Sequence, residues 1–346
     1  MRQIGMMRKV IIFLMAVSLV ILAGCGKVPE QKQAAATGSS GKIVAKLAHN
    51  LPVTHHLARA MEDFAKKVNE KSQGNIQINI YPSGQLFNDK SMNDAVMTGG
   101  VEMGLNSAAM WSSVIPAMEI FDVPFLFPSY DRIKKAIDSG VGEKLSGEME
   151  KKGARVLMWA DYGFVQFANS KRPLTQPEDF KGLKLRGYGE LPSETIKALG
   201  ASPVTMGAGE VYMALQRGTI DGQTSGTTAM YDRKMYEVSK YLTVTNHAFP
   251  EFLVAINLKF WNSLTADQKK IIQEAADEVR DSIRAQTQNE DIKTLQALKE
   301  KGMEVYVVPE SDIPVWQKAT EPVQAIFVKR AGAVGQEVID ICKSVK

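Results

Sequence analysis

Only two cysteines and four histidines occur in the 346 residues of this chain, so the residue types that most often close disulfides or hold metals are nearly absent. His49, His55 and His56 fall close together, but His55 and His56 are neighbours and on a helix point about 100° apart. They read as groups on the loop and first turn lining a cleft, and no metal site is expected. Missing motifs exclude more. There is no GxxxxGK[ST] phosphate loop, no HExxH, no CxxC and no GxSxG elbow, and GAGEVY at Gly207 lacks the spacing of a dinucleotide loop. Carboxylates are plentiful, yet mostly on helical stretches beside lysines, as on a solvated face. Neither a catalytic set nor a cofactor is expected.

What is present is an ordinary globular composition, 45% hydrophobic and 23% charged, in a chain long enough for two domains. Its first residues differ from the rest. Arg2, Arg8 and Lys9 precede an unbroken apolar run, Val10 to Ala23, of about 14 residues, too short to span a bilayer comfortably and suited to a secretory signal. The run ends in Leu22-Ala23-Gly24-Cys25, which looks like a bacterial lipobox, so residues 1–24 are read as a lipoprotein signal peptide and Cys25 as the lipidated residue. Residues 25–41, almost without large apolar groups, read as a flexible tether. The formal net charge of +4 loses the three cations of the signal, so the basic balance that points to nucleic acid disappears. Cys342, among Val338, Ile339 and Ile341, reads as a small buried hydrophobe.

From Lys42 onward strand and helix patterns alternate. A strand over KIVAKL, a helix over His56–Lys71 with Leu57, Met61, Phe64 and Val68 on one stripe, and a strand over Ile76, Ile78 and Ile80 point to parallel pairing in an α/β layer. IFDVPFLF, interrupted by Pro124, reads as a buried irregular segment. Thr265 with Gln268 forms a capping box opening a helical pattern that meets no proline or glycine until Gly302, about 54 Å at 1.5 Å per residue and long enough to lie along two domains. The central stretch Gly182–Gly226 holds the candidate site. Arg186 ends the strand GLKLR and is followed by Gly187, Tyr188 and Gly189, where ligands of open α/β sheets bind; a guanidinium there can clamp a carboxylate with two parallel hydrogen bonds. Pairing with a surface Asp is the other reading of the same residue.

KGLKLR, ALGASPV, GEVYMALQRGTIDGQ and the earlier DVPFLF resemble the solute-binding subunits of tripartite ATP-independent periplasmic (TRAP) transporters, over nearly the whole chain from Lys42. The resemblance implies a type II periplasmic binding protein-like α/β fold: two discontinuous lobes around a ligand cleft, with a long C-terminal helix spanning both. Lobe one would be residues 42–165 with part of 257–346, and lobe two 166–256 with part of 257–346. It implies that Arg186 binds a ligand carboxylate. Many members carry a second Arg where this chain has Gln166, and often an Asn where it has Ser225, which turns the expectation from sugar acids and dicarboxylates toward a small monocarboxylate. Tyr162, Tyr188, Trp111 and Phe249 are the candidate walls of an apolar pocket for aromatic or long-chain acids. The implied partners are the small and large TRAP membrane subunits, driven by a sodium gradient, with the membrane reached through the lipid anchor. A ligand sensor docking on a receptor kinase, or a secreted enzyme on the same frame, are the alternatives.

Overall fold

The computed structural model describes residues 42–345, and the expected signal peptide, lipidated Cys25 and tether lie outside the described residues. Its strands, in order, are β1 (Ile43–His49), β2 (Ile76–Tyr81), β3 (Met103–Ser107), β4 (Ala154–Asp161), β5 (Val165–Asn169), β6 (Lys184–Gly187), β7 (Ser202–Thr205), β8 (Gly222–Gly226), β9 (Tyr241–Ala248), β10 (Glu251–Asn257) and β11 (Glu304–Val307). They form two sheets, β2-β1-β3-β10-β4 and β11-β9-β5-β8-β6-β7. β1 is parallel to both β2 and β3, as the strand–helix alternation implies, because a helical crossover returns the chain in the same direction. The chain passes between the sheets three times, from β4 to β5, from β9 to β10 and, by way of the Ala266–Glu300 helix, from β10 to β11. β10 lies antiparallel between β3 and β4, so residues 251–257 hydrogen-bond in the first sheet although the sequence division at 256 grouped most of them with the second.

Local signals locate the helices. His56–Lys71 buries Leu57, Met61, Phe64 and Val68, none with any exposure, on its apolar stripe. The Ala266–Glu300 helix opens on the expected capping box: Gln268 N donates to Thr265 Oγ1 at 3.3 Å and Thr265 N to Gln268 Oε1 at 2.8 Å. Its 35 residues extend about 52 Å. Ile272, Ala276, Val279 and Ile283 pack on the core of the first sheet, while Leu298 packs with Leu242 and Val244 of the second. The last helix, Ile313–Ser344, is bent at Gly332 and likewise reaches two cores, with Trp316 in one and Phe327, Val338 and Cys342 in another. Burial pushes the Cys342 thiol up to about 12, in keeping with a packing role. Among the described residues no helix is long and apolar enough to cross a membrane.

Candidate functional site

Arg186 is the penultimate residue of β6, with parallel neighbours β7 and β8 on its two sides. Gly187 follows because the helix Glu190–Ala198 starts so close that a Cβ would stand 2.6 Å from Ser193 Oγ. Arg186 is 4% exposed and lines a cavity between the two sheets. That cavity measures ≈ 60 Å³, on a scale where one water needs about 10–15 Å³, so it has room for a small polar molecule.

The partners of Arg186 define its role. Nε donates to the Met206 carbonyl at 3.1 Å, and Cζ lies 5.6 Å from the centre of the Tyr188 ring. Among the described residues it forms no ion pair, so the alternative of a surface Asp partner does not apply. Burial lowers its pKa and Asp89 opposes that shift, which leaves a charged, desolvated donor facing the cavity. Tyr188, half-buried, donates its hydroxyl to Asp122 Oδ1 at 2.6 Å, while burial pushes the Asp122 carboxyl up to about 8. Tyr162 is stacked between Phe252 (4.6 Å between centroids) and His55 (5.4 Å), with its hydroxyl 3.3 Å from Ser225 Oγ. Tyr162, Tyr188, Ser225 and Arg186 therefore converge on one cavity.

Three expected site residues, the ligand-selecting Gln166 and the wall aromatics Trp111 and Phe249, stand elsewhere. Gln166 is committed to a bulge: its Oε1 accepts from Thr245 N (2.8 Å) and Asn246 N (2.9 Å), and its Nε2 donates to Asn246 Oδ1 (2.6 Å). The bulge exists because the β5–β9 register jumps between Val165 and Phe167, with Asn246 in the left-handed region at φ 48°. Trp111 is 1% exposed in the core of the first sheet, and Phe249, with no exposure, packs edge-on against Tyr130 and Phe164. None of the three lines the cavity. The expected place of the N-terminal histidines shifts as well. His55 caps the helix by accepting from Leu57 N at 3.2 Å and stacks behind Tyr162, and His56 bonds the Asp161 carbonyl at 3.1 Å, so they back the wall and do not form it. Among the described residues no cluster of His, Cys, Asp or Glu could hold a metal.

Sequence reasoning missed Gln223, Ser107, Asn50, Asp89 and Arg233, all part of the lining. Gln223 Nε2, Ser107 Oγ and Asn50 Oδ1 are buried without hydrogen-bond partners. Buried polar atoms are nearly always satisfied, and these three in one lining are groups that a polar ligand in the cavity would be able to meet. Gln223 lies beside Arg186 in the β6–β8 register, a signal present in DGQTSG but not legible there without the pairing.

Residues 47–330 match the model of the bacterial extracellular solute-binding protein, family 7. The chain is 32% identical over 294 residues to the C4-dicarboxylate-binding periplasmic protein DctP of Rhodobacter capsulatus, covering 84% of this chain and 88% of that one. Among solved structures it is similar to a TRAP periplasmic solute-binding protein from Sulfurospirillum deleyianum with bound succinate (TM-score 0.83, 28% identity, 88% and 100% covered). It is also similar to the sugar acid binding protein of Advenella mimigardefordensis in complex with galactonate (TM-score 0.85, 26% identity, 88% and 99% covered).

Proposed function

The chain belongs to the bacterial extracellular solute-binding proteins of family 7, and we propose that it captures a small organic acid by its carboxylate on Arg186 and presents it to the membrane subunits of a sodium-driven TRAP permease. The observation that carries this reading is the buried Arg186 itself, charged, without an ion-pair partner, and lining a cavity with unpaired Gln223 and Ser107. A carboxylate supplies what all three lack. Its two oxygens accept in parallel from a guanidinium, and a site closed to water strengthens that pair. The two sheets are the centres of two lobes, and β4–β5, β9–β10 and the long helices are the connections about which closure turns. On this reading the chain binds and releases its solute without chemical change; the enzyme alternative would need a nucleophile held by a base, and among the described residues Ser107 Oγ has no partner and Ser225 Oγ lies against Tyr162 OH.

The test is a thermal-shift screen of the protein against organic acids. An acid at about 100 times its dissociation constant should stabilise the fold by roughly 2.7 kcal/mol; a panel in which no carboxylate raises the melting temperature overturns the reading. Capture at a membrane surface rests on the lipobox-like Leu22-Ala23-Gly24-Cys25. Cys25→Ser is expected to move the protein from the membrane pellet to the soluble fraction of cells expressing it. Unchanged pelleting would remove the anchor from the proposal and leave the binding function intact.

A further inference from the structure

The cavity has a second cation that no motif announces. Arg233 terminates the helix Thr227–Asp232, its backbone N–H closing on the Ala229 carbonyl, and its side chain lines the same cavity as Arg186. One terminal nitrogen donates to the Asn50 carbonyl at 2.9 Å, so a residue from the second sheet's side reaches the end of β1 in the first. Among the described residues Arg233 forms no ion pair. The carboxylate in the lining, Asp89, accepts from Ala208 N at 3.0 Å and favours the charge of both arginines without pairing with either. Burial works against both charges, and Arg233 further disfavours that of Arg186. Two like charges drawn into one poorly solvated cavity are costly unless an anion lies between them. The wall they share is apolar, with Val165, Val211, Met235 and Phe252, which suits a short hydrocarbon spacer.

We propose that Arg233 is a second anion anchor, so that the site selects acids bearing a negative group at each end, one on Arg186 and the other on Arg233. The proposal rests on the carboxylate reading of the Arg186 cavity and names what that reading leaves open. The second guanidinium that many members of the resembled family carry where this chain has Gln166 is on this proposal supplied from 233, while Gln166 holds the β9 bulge. Gln223 Nε2 and Ser107 Oγ are neutral groups available to share the charge of a dianion that the Asp89 carboxylate leaves unbalanced.

The experiment is calorimetric titration of the protein and two variants with straight-chain dicarboxylates from malonate to adipate and with the monocarboxylate of equal length in each case. At least one dicarboxylate is expected to bind 30-fold or more tighter than its monocarboxylate counterpart, the smaller end of what a desolvated charge pair contributes. Arg233→Gln should remove that advantage, costing each dicarboxylate far more affinity than its monocarboxylate counterpart, and Arg233→Lys should restore part of it. Retained unfolding cooperativity of Arg233→Gln shows that the loss is one of recognition. Equal binding of paired mono- and dicarboxylates by the unaltered protein, or an equal loss of both classes in Arg233→Gln, overturns the second anchor. Monocarboxylate binding without any dicarboxylate binding overturns it while leaving the role of Arg186 standing; binding of no acid of either series, with none found in the wider screen, overturns the earlier reading.

Discussion

Arg186→Met is expected to weaken carboxylate binding roughly 30-fold to several-thousand-fold, the 2–5 kcal/mol lost when one partner of a buried, hydrogen-bonded charge pair is removed. The same variant should leave the ligand-free protein as stable as before, or more stable. Arg186 gives the fold one hydrogen bond, to Met206, and confronts it with a desolvated charge near a second one. Methionine has a similar length, no charge to solvate, and apolar neighbours in the cavity wall at Val165, Val211 and Phe252. Titration calorimetry and denaturant melts on the same samples separate the two effects. Arg186→Lys keeps the charge but presents a point where a fork is needed, so it should recover only part of the affinity. If Arg186→Met instead lowers the melting temperature by many degrees while a carboxylate binds as before, the residue is a strut and the site lies elsewhere.

Elements written in local chemistry were legible. The His56–Lys71 stripe, the Thr265–Gln268 box and the strand-end Arg186 each depend on residues within a few positions of one another, and each stands where the pattern puts it. The second crossing helix was legible only as a helical region, since nothing in Ile313–Ser344 names the two cores that Trp316 and Phe327 enter. The cavity was half legible, and the reason is sequence distance. Its polar lining draws on positions 50, 89, 107, 186, 223 and 233, brought together by sheet order and not by spacing. Trp111 and Phe249 were indistinguishable from Tyr162 and Tyr188 as single aromatics; which pair meets the cavity depends on the turn each follows. Arg233 was hidden because Thr227–Asp232 is a helix of only 6 residues that opens with two threonines. Gln166 misled for a physical reason too. An amide can recognise a ligand or close a backbone bulge with the same donors and acceptor, and only the β5–β9 register tells which.

Asp291→Ala is expected to cost about 3–5 kcal/mol of folding stability, whereas Asp291→Asn should be tolerated and should become the more stable form as pH rises. Read in sequence, Asp291 is one more carboxylate near a lysine on a long helix. In the fold it is 8% exposed and fastens three segments: Oδ2 accepts from Tyr130 OH (2.6 Å) and Phe164 N (3.1 Å), and Oδ1 accepts from Thr227 Oγ1 (3.1 Å). Phe164 belongs to the β4–β5 crossing, so the contact ties a connection between the sheets to the helix that spans them. Gly163 beside it sits at φ 106°, and a Cβ there would stand 2.5 Å from Asp291 Oδ2, so the crossing lies tight against the carboxyl. Alanine strands three buried donors, each costing about 1–3 kcal/mol when unsatisfied, with partial relief by water. Asparagine can keep its oxygen toward Tyr130 and Phe164 and donate its amide to Thr227 Oγ1, leaving nothing stranded. Burial pushes the Asp291 carboxyl up to about 6 from its ordinary 3.8, against the pull of the three donors. Below both values the acid is neutral folded and unfolded, and its contribution is fully present. As pH climbs from 4 to 6 the unfolded chain releases a proton that the folded one retains, so that contribution is lost, by up to about 3 kcal/mol at 1.36 kcal/mol per unit. Asparagine has no proton to release. Urea melts of the two proteins at pH 4, 5.5 and 7 should therefore show the Asn variant gaining on the unaltered protein by about 2–3 kcal/mol, and every other titrating group cancels in the difference. A gain in the opposite direction would mean that the three donors outweigh burial and hold Asp291 as a carboxylate, in which case its charge, and not only its shape, is what fastens the crossing.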